Sequence, residues 1–333
     1  MSQVVVVTGA TSGIGRAVVQ AFAKEGAQLG LLARGQEGLE AVRTEVEHLG
    51  GRSLAVPTDV ADADQVEAAA AAVEQQLGPI DVWVNDAMVT VFAPFLEVDP
   101  DEFRRVTEVT YLGAVWGLRA ALGRMLPRDR GSIVLVGSAM AYRGIPLQAA
   151  YCGAKHGIKG VFESARTELV HQKSAVRLSM VQLPGVNTPQ FDHGASKMPR
   201  QPMPVPPIYQ PELAAEAVRF AARTGRREVY VGSPAVFTIW GNRLGAGRMD
   251  RYLGRKAVAA QQTQEPLPGG AREGNLFEAT LGDPGAHGRF DRQARSRDPV
   301  LWVAERRRAL IGAALGVAAT AAVGIGALTR GPR

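Results

Sequence analysis

The chain has a single cysteine, Cys152, among 333 residues, which excludes an intrachain disulfide. Its five histidines are scattered, with no H-x-x-x-H pair and no cysteine cluster, so no metal centre is expected. Aromatic residues are few, at 6%, and the net charge of +6 comes with acids interleaved among the late arginines: Asp283, Asp291, Asp298 and Glu305 among Arg289, Arg292, Arg295, Arg297 and Arg306-Arg307-Arg308. Nucleic acid is therefore not expected as a partner; a solvated or membrane-facing stretch fits the pattern better. A strand-like run begins by residue 3, leaving no room for a signal peptide, and the cytosol is the simplest compartment. No internal repeat is visible. A hydrophobic content of 46% is ample for a core, and the length allows one large domain with an appendage.

Strand and helix patterns alternate through residue 185. Candidate strands are 3–8, 27–33, 52–57, 80–85, 131–137 and 175–183, with a seventh over 228–232; candidate helices are 14–25, 36–49, 62–77, 101–126 and 149–172. This alternation predicts an α/β fold: a single doubly wound parallel sheet of about seven strands with helices on both faces. The predicted division is a catalytic domain over 1–245, a Gly/Pro/Arg-rich extension over 246–305, and an apolar helix with basic flanks over 306–330.

Two constellations carry chemistry. Tyr151 and Lys155 stand four apart in a predicted helix, hence on one face, where an ammonium beside a phenol favours the phenolate. Ser138 ends an apolar run that reads as a buried strand, and its hydroxyl can hold a substrate oxygen. At the N-terminus a β-branched run leads into Gly9-Ala10-Thr11-Ser12-Gly13-Ile14-Gly15 and then an amphipathic helix. Strand, glycine turn and helix make a dinucleotide site, with the pyrophosphate at the positive end of the helix.

These residues resemble the short-chain dehydrogenase/reductase family. The T-G-x-x-x-G-x-G turn is matched by Thr8, Gly9, Gly13, Ile14 and Gly15, the Y-x-x-x-K pair by Tyr151 and Lys155, and the serine by Ser138, over a likeness spanning roughly residues 3–245. The resemblance implies Tyr151 as general acid/base, Lys155 on the nicotinamide ribose, and Ser138 on the substrate carbonyl. It also implies adenine contacts at Asp59-Val60 and cofactor contacts at Asn85 and Ala87. Three positions depart from the pattern. The N-N-A-G segment reads Asn85-Asp86-Ala87-Met88; Thr110 stands where the family's asparagine holds a relay water; and the P-G-x-x-x-T segment, Pro184 to Thr188, is one residue short. Thr110 is the expected relay residue, and Pro184 and Thr188 the expected nicotinamide contacts.

The second strand ends at Ala33 without an acid and is followed by Arg34, which can bind a 2′-phosphate bidentately; NADP(H) is the expected cofactor, NAD(H) the alternative. Residues 186–210, rich in proline, are expected to form a substrate lid with an apolar inner side of Phe191, Met198, Met203 and Tyr209. Residues 234–260 look helical and basic. Residues 264–300 read as a tail, either docked through Leu276, Phe277, Leu281 and Phe290 or left as a linker. Residues 309–328 are uncharged and near the roughly 20 residues needed to cross a bilayer. With Arg306-Arg307-Arg308 before them, they predict a membrane anchor that keeps the catalytic domain cytoplasmic.

The function expected is carbonyl–alcohol interconversion on a fairly apolar small molecule. A catalytically silent NADP(H)-binding scaffold or sensor, and an epimerase or dehydratase on the same fold, are the alternatives. A homo-oligomer is expected from the resemblance.

Overall fold

The computed structural model describes residues 2–307 and Leu310. Seven parallel strands form one sheet: β1 Val4–Thr8, β2 Gln28–Ala33, β3 Arg52–Pro57, β4 Val82–Asn85, β5 Ser132–Val136, β6 Arg177–Gln182 and β7 Glu228–Tyr230. Their spatial order is β7-β6-β5-β4-β1-β2-β3. The order reverses between β1 and β4, so the loops after these two strands part and leave a crevice at the carboxyl edge.

The strands form because β-branched runs are buried on both faces. Every residue of β1, VVVVT, is buried. Its side chains alternate, so Val5 and Val7 join one core layer and Val4 and Val6 the other. The first layer is covered by helices α1 (Gly13–Ala23), α2 (Gln36–His48) and α7 (Pro211–Thr224). The second is covered by α3 (Ala63–Leu77), α5 (Gly113–Met125) and α6 (Ala149–His171). Asp62 caps α3 by accepting the Asp64 and Gln65 N–H groups. A capping box of Asp99 and Glu102, with Pro100 at the first position, starts α4 (Pro100–Val106).

The expected helix over 101–126 is one continuous rod with an unanticipated π-helical stretch, Thr107–Leu112, between α4 and α5. A final long helix, α8 (Ser233–Ala260), breaks its geometry at Gly245.

The extension packs on the domain. Gln262–Pro266 pairs antiparallel with Arg200–Pro202, and Ala294–Arg295 pairs parallel with Ile208–Tyr209. Leu276 and Phe290 are buried anchors as expected, whereas Phe277 and Leu281 are exposed. A helical segment then begins near Val300, where Asp298 accepts the Val300 and Leu301 N–H groups and also that of Gly232. No helix among the described residues is long and apolar enough to cross a membrane. The predicted anchor over 309–328 lies, apart from Leu310, outside those residues.

Candidate active site

Two adjoining clefts open along the carboxyl edge. The first holds about 1030 Å³ of empty space and is walled by Gly9, Thr11, Ser12, Gly13 and Ile14 after β1, by Arg34 after β2, and by Asp59 and Val60 after β3. The second, about 700 Å³, contains Ser138, Tyr151 and Lys155. Ile14, Asp86, Met88, Thr188 and Gln190 line both, so the two are parts of one groove.

The glycine turn is built for close approach of a backbone. Gly9 has φ +72°, and a Cβ there would fall 2.9 Å from the Ala87 Cα. A Cβ on Gly15 would fall 2.2 Å from the Gly9 carbonyl oxygen. The Thr8 hydroxyl accepts the Asp86 and Ala87 N–H groups at 3.1 and 3.2 Å, tying the loop after β4 to the turn after β1. A glycine cradle opening on a helix N-terminus, with no carboxylate at the end of β2, fits a dinucleotide phosphate chain.

Ser138 follows β5 and is buried; its Oγ accepts the Met140 N–H at 3.2 Å and also bonds the Tyr151 phenol. Tyr151 and Lys155 project from the first turns of α6, with the Lys155 Nζ 5.5 Å from the centre of the Tyr151 ring. That ammonium donates to the Val136 carbonyl oxygen at 2.7 Å. The expected depression of the phenol is not what this geometry produces. Burial pushes Tyr151 above an ordinary phenol, with a smaller opposing effect from the Ser138 hydrogen bond. Lys155 is brought down to about 8 by burial, partly offset by Asp86. Asp86 is raised to about 7, again mainly by burial, against the pull of Lys155 and a hydrogen bond from the Gly15 N–H. A carboxyl group thus stands at the N-terminus of α1, where the two clefts meet.

Four expected site residues have other tasks. The Thr110 hydroxyl donates to the Val89 carbonyl at 2.9 Å and accepts the Val89 N–H at 3.1 Å, so its proton is spent on the backbone and is not offered to a relay water. Asn85 is buried, and its Oδ1 accepts the Trp83 indole N–H at 3.0 Å against Gly117, turning the side chain under the sheet and away from the cleft. The Arg34 guanidinium donates to four carbonyls, those of Asn275, Leu276, Phe277 and Glu278, at 2.5 to 3.3 Å. Asp59 lines the cleft, but its carboxylate is shared between Arg105 at 2.5 Å and the Ala61 N–H at 3.0 Å. Val60, Ala87, Pro184 and Thr188 all line the groove where they were expected.

Of the expected lid, Phe191 and Met203 face the second cleft, while Met198 and Tyr209 are buried in packing. Tyr142, near Ser138 in the chain, joins Tyr230 on the Glu228 carboxylate, with the Lys159 Nζ 4.8 Å over its ring. Cys152 is buried and packs as a small apolar side chain. Missed from the sequence were Gln190 and His193, and the extension residues Asn275, Ala279, Thr280 and Pro284, all of which line the first cleft. Nothing in their local pattern marks them.

Residues 3–198 match the short chain dehydrogenase family. The chain belongs to that family. It is an oxidoreductase, as are its named relatives. It is 31% identical over 318 residues to the uncharacterized oxidoreductase YxnA of Bacillus subtilis (strain 168), covering 94% of this chain and 87% of that one. It is 32% identical over 222 residues to 3-dehydrosphinganine reductase of Danio rerio, covering 64% of this chain and 66% of that one. Human dehydrogenase/reductase SDR family member 7 matches at 36% over 170 residues, half of each chain. Among solved structures, an alcohol dehydrogenase from the archaeon Thermococcus sibiricus, complexed with 5-hydroxy-NADP, superposes with a TM-score of 0.59 at 26% identity, covering 69% of this chain and 96% of that one. The short-chain dehydrogenase fold implies a nicotinamide dinucleotide, which agrees with the glycine cradle.

Proposed function

We propose that this short-chain dehydrogenase interconverts a carbonyl and an alcohol on a fairly apolar small molecule, with NADP(H) as the redox partner. The observation that carries the reading is the meeting of Ser138, Tyr151 and Lys155 in one cleft with Met88, Leu183, Phe191 and Met203 around them. The nicotinamide, when bound, supplies or receives the hydride. Ser138 hydrogen-bonds the substrate oxygen. Tyr151 gives that oxygen its proton in reduction and takes it in oxidation. Lys155, held by the Val136 carbonyl, orients the ribose and supplies positive charge beside the phenol. Burial keeps the Tyr151 phenol protonated, the form from which a proton is given in carbonyl reduction.

Support for NADP(H) over NAD(H) comes from Ala33 and Arg34 at the end of β2, where no carboxylate meets the ribose hydroxyls. In turnover assays with NADPH and a panel of apolar ketones and aldehydes, Tyr151→Phe is expected to lower kcat by at least about 100-fold while NADPH binding persists. Equal turnover by the two proteins would overturn the assignment. A silent NADP(H)-binding scaffold is the second reading, favoured by the engaged Thr110 hydroxyl; it predicts saturable NADPH binding and no turnover by the parent chain.

The same reading places the enzyme at a membrane through residues 306–333. Trp302 and Val303, just before that segment in the chain, are both half exposed, with the Arg306 guanidinium 4.9 Å over the Trp302 ring. Carbonate-resistant membrane association should disappear on deleting 306–333, and a full-length chain found wholly in the soluble fraction would refute the anchor.

A further inference from the structure

The extension crosses the first cleft. Its residues 275–278 turn four main-chain carbonyls onto Arg34, and Arg105 Nε adds a bond to the Leu276 carbonyl at 3.0 Å. Ala279 and Thr280 then run along the cleft wall. The Gly282 N–H donates to Glu37 at 2.7 Å, and Asp283 pairs with the buried Arg16 at 3.1 Å. Finally the Gly285 carbonyl accepts the Gly13 N–H at 2.9 Å, inside the glycine turn itself. The match to the short chain dehydrogenase family ends at residue 198, so this covering belongs to a part of the chain outside that match.

The ends of the segment are held differently from its middle. Leu276, Ala286 and Phe290 are buried in the apolar core, whereas Phe277 and Leu281 are 56% and 89% exposed. Residues 277–285 form no helix or strand. Their hold on the domain is polar, and two of the groups that grip them are groups a phosphate would engage: the Arg34 guanidinium and an N–H of the glycine turn. A carbonyl is a neutral acceptor. A phosphate oxygen turns the neutral Gly13 N–H bond into a charge-assisted one, roughly twice as strong, and gives the Arg34 guanidinium an anionic, bidentate partner, so these contacts are exchangeable for those of an anionic ligand.

We propose that residues 277–285 are a clamp over the adenosine end of the dinucleotide, that it must lift for the cofactor to enter or leave, and that Arg34 and Gly13 trade carbonyl partners for cofactor phosphates. The proposal rests on the dinucleotide reading of the cleft. It makes the extension part of the cofactor site, and it makes cofactor exchange slower than a preformed open cleft would allow. The anionic 2′-phosphate becomes what releases Arg34 from the clamp.

A disulfide tests this directly. A Cβ on Gly35 would stand 3.5 Å from the Ala279 Cβ, within the roughly 3.5–4.5 Å spanned by bridged cysteines. Gly35 has φ −79°, open to any side chain. In the full-length Gly35→Cys/Ala279→Cys protein, NADPH association and dissociation are followed by stopped-flow fluorescence, oxidised and then reduced. The expected result is exchange at least an order of magnitude slower in the oxidised form, restored by reduction. Equal rates in the two forms would overturn the clamp. Failure of the unaltered protein to bind NADPH at all would overturn the dinucleotide reading, and the clamp with it. Should the double variant not fold, hydrogen exchange on the unaltered protein decides. Saturating NADPH, by taking Arg34 and Gly13 from their carbonyl partners, should speed exchange of the Gly282 and Gly285 amides several-fold, and unchanged exchange there would defeat the proposal.

Discussion

Asp86→Asn probes the electrostatic strain at the junction of the two clefts. The carboxyl has an ordinary value of 3.8 and is raised to about 7, chiefly by burial. The direction sets the sign. As pH climbs above 3.8 the unfolded chain ionises this group while the folded protein keeps it protonated, so folding is penalised progressively until the folded value is passed. Stability from this group is full below 3.8 and lost by about 7. At 1.36 kcal/mol per pH unit the loss amounts to about 4 kcal/mol, an upper bound that relaxation around the carboxylate reduces to about 2 kcal/mol. The attraction of Lys155 and the Gly15 hydrogen bond are already contained in that net displacement. Asparagine does not titrate, and its carbonyl can still accept the Gly15 N–H. Lys155, freed of its partner, falls further below about 8 and sheds its own charge near neutrality. The stability of the variant relative to the parent should therefore rise by about 2–4 kcal/mol between about pH 4.5 and about pH 8. Urea unfolding at several pH values across that window measures it. Parallel stability–pH curves for the two proteins would refute the reasoning, since they would mean that the folded Asp86 carboxyl titrates as it does in the unfolded chain.

Other outcomes follow from single contacts. Arg34→Asp should weaken NADPH binding more than NADH binding, because the substitution removes the cation and adds a repelling carboxylate; an unchanged preference in titrations with the two nucleotides would defeat the NADP(H) assignment. Gly15→Ala puts a methyl group 2.2 Å from the Gly9 carbonyl oxygen, which forces the turn open. Loss of NADPH binding and a stability loss of about 2 kcal/mol or more are expected, by calorimetry and thermal unfolding; wild-type values for both would show that the turn is not the cradle.

Much of the fold was legible because it is written in short-range patterns. β-branched runs, the glycine turn and the four-residue spacing of Tyr151 and Lys155 each lie within one element and its neighbour, and the seven strands formed within a few residues of where those patterns place them. Elsewhere local pattern and final contact part company. Thr110 offers a hydroxyl in any alignment, yet a π-helical stretch buries it against Val89. Asn85 sits at the right place in the chain, but its side chain is claimed by Trp83. Tyr151 and Lys155 share a helical face, but how far burial outweighs their charge coupling is set by what the rest of the chain packs over them.

The sequence by itself determined the alternating α/β order, the parallel sheet, the glycine turn at Gly9–Gly15 and the shared helical face of Tyr151 and Lys155, since each depends on periodicity or spacing over a few residues. Only the tertiary structure decided where the extension goes. Arg34 and the carbonyl of Asn275 that it grips stand 241 positions apart. A Gly/Pro-rich segment without periodicity carries no local code for such a partner, and its path is set by buried Leu276 and Phe290 and by which polar groups the folded domain leaves at the mouth of the cleft.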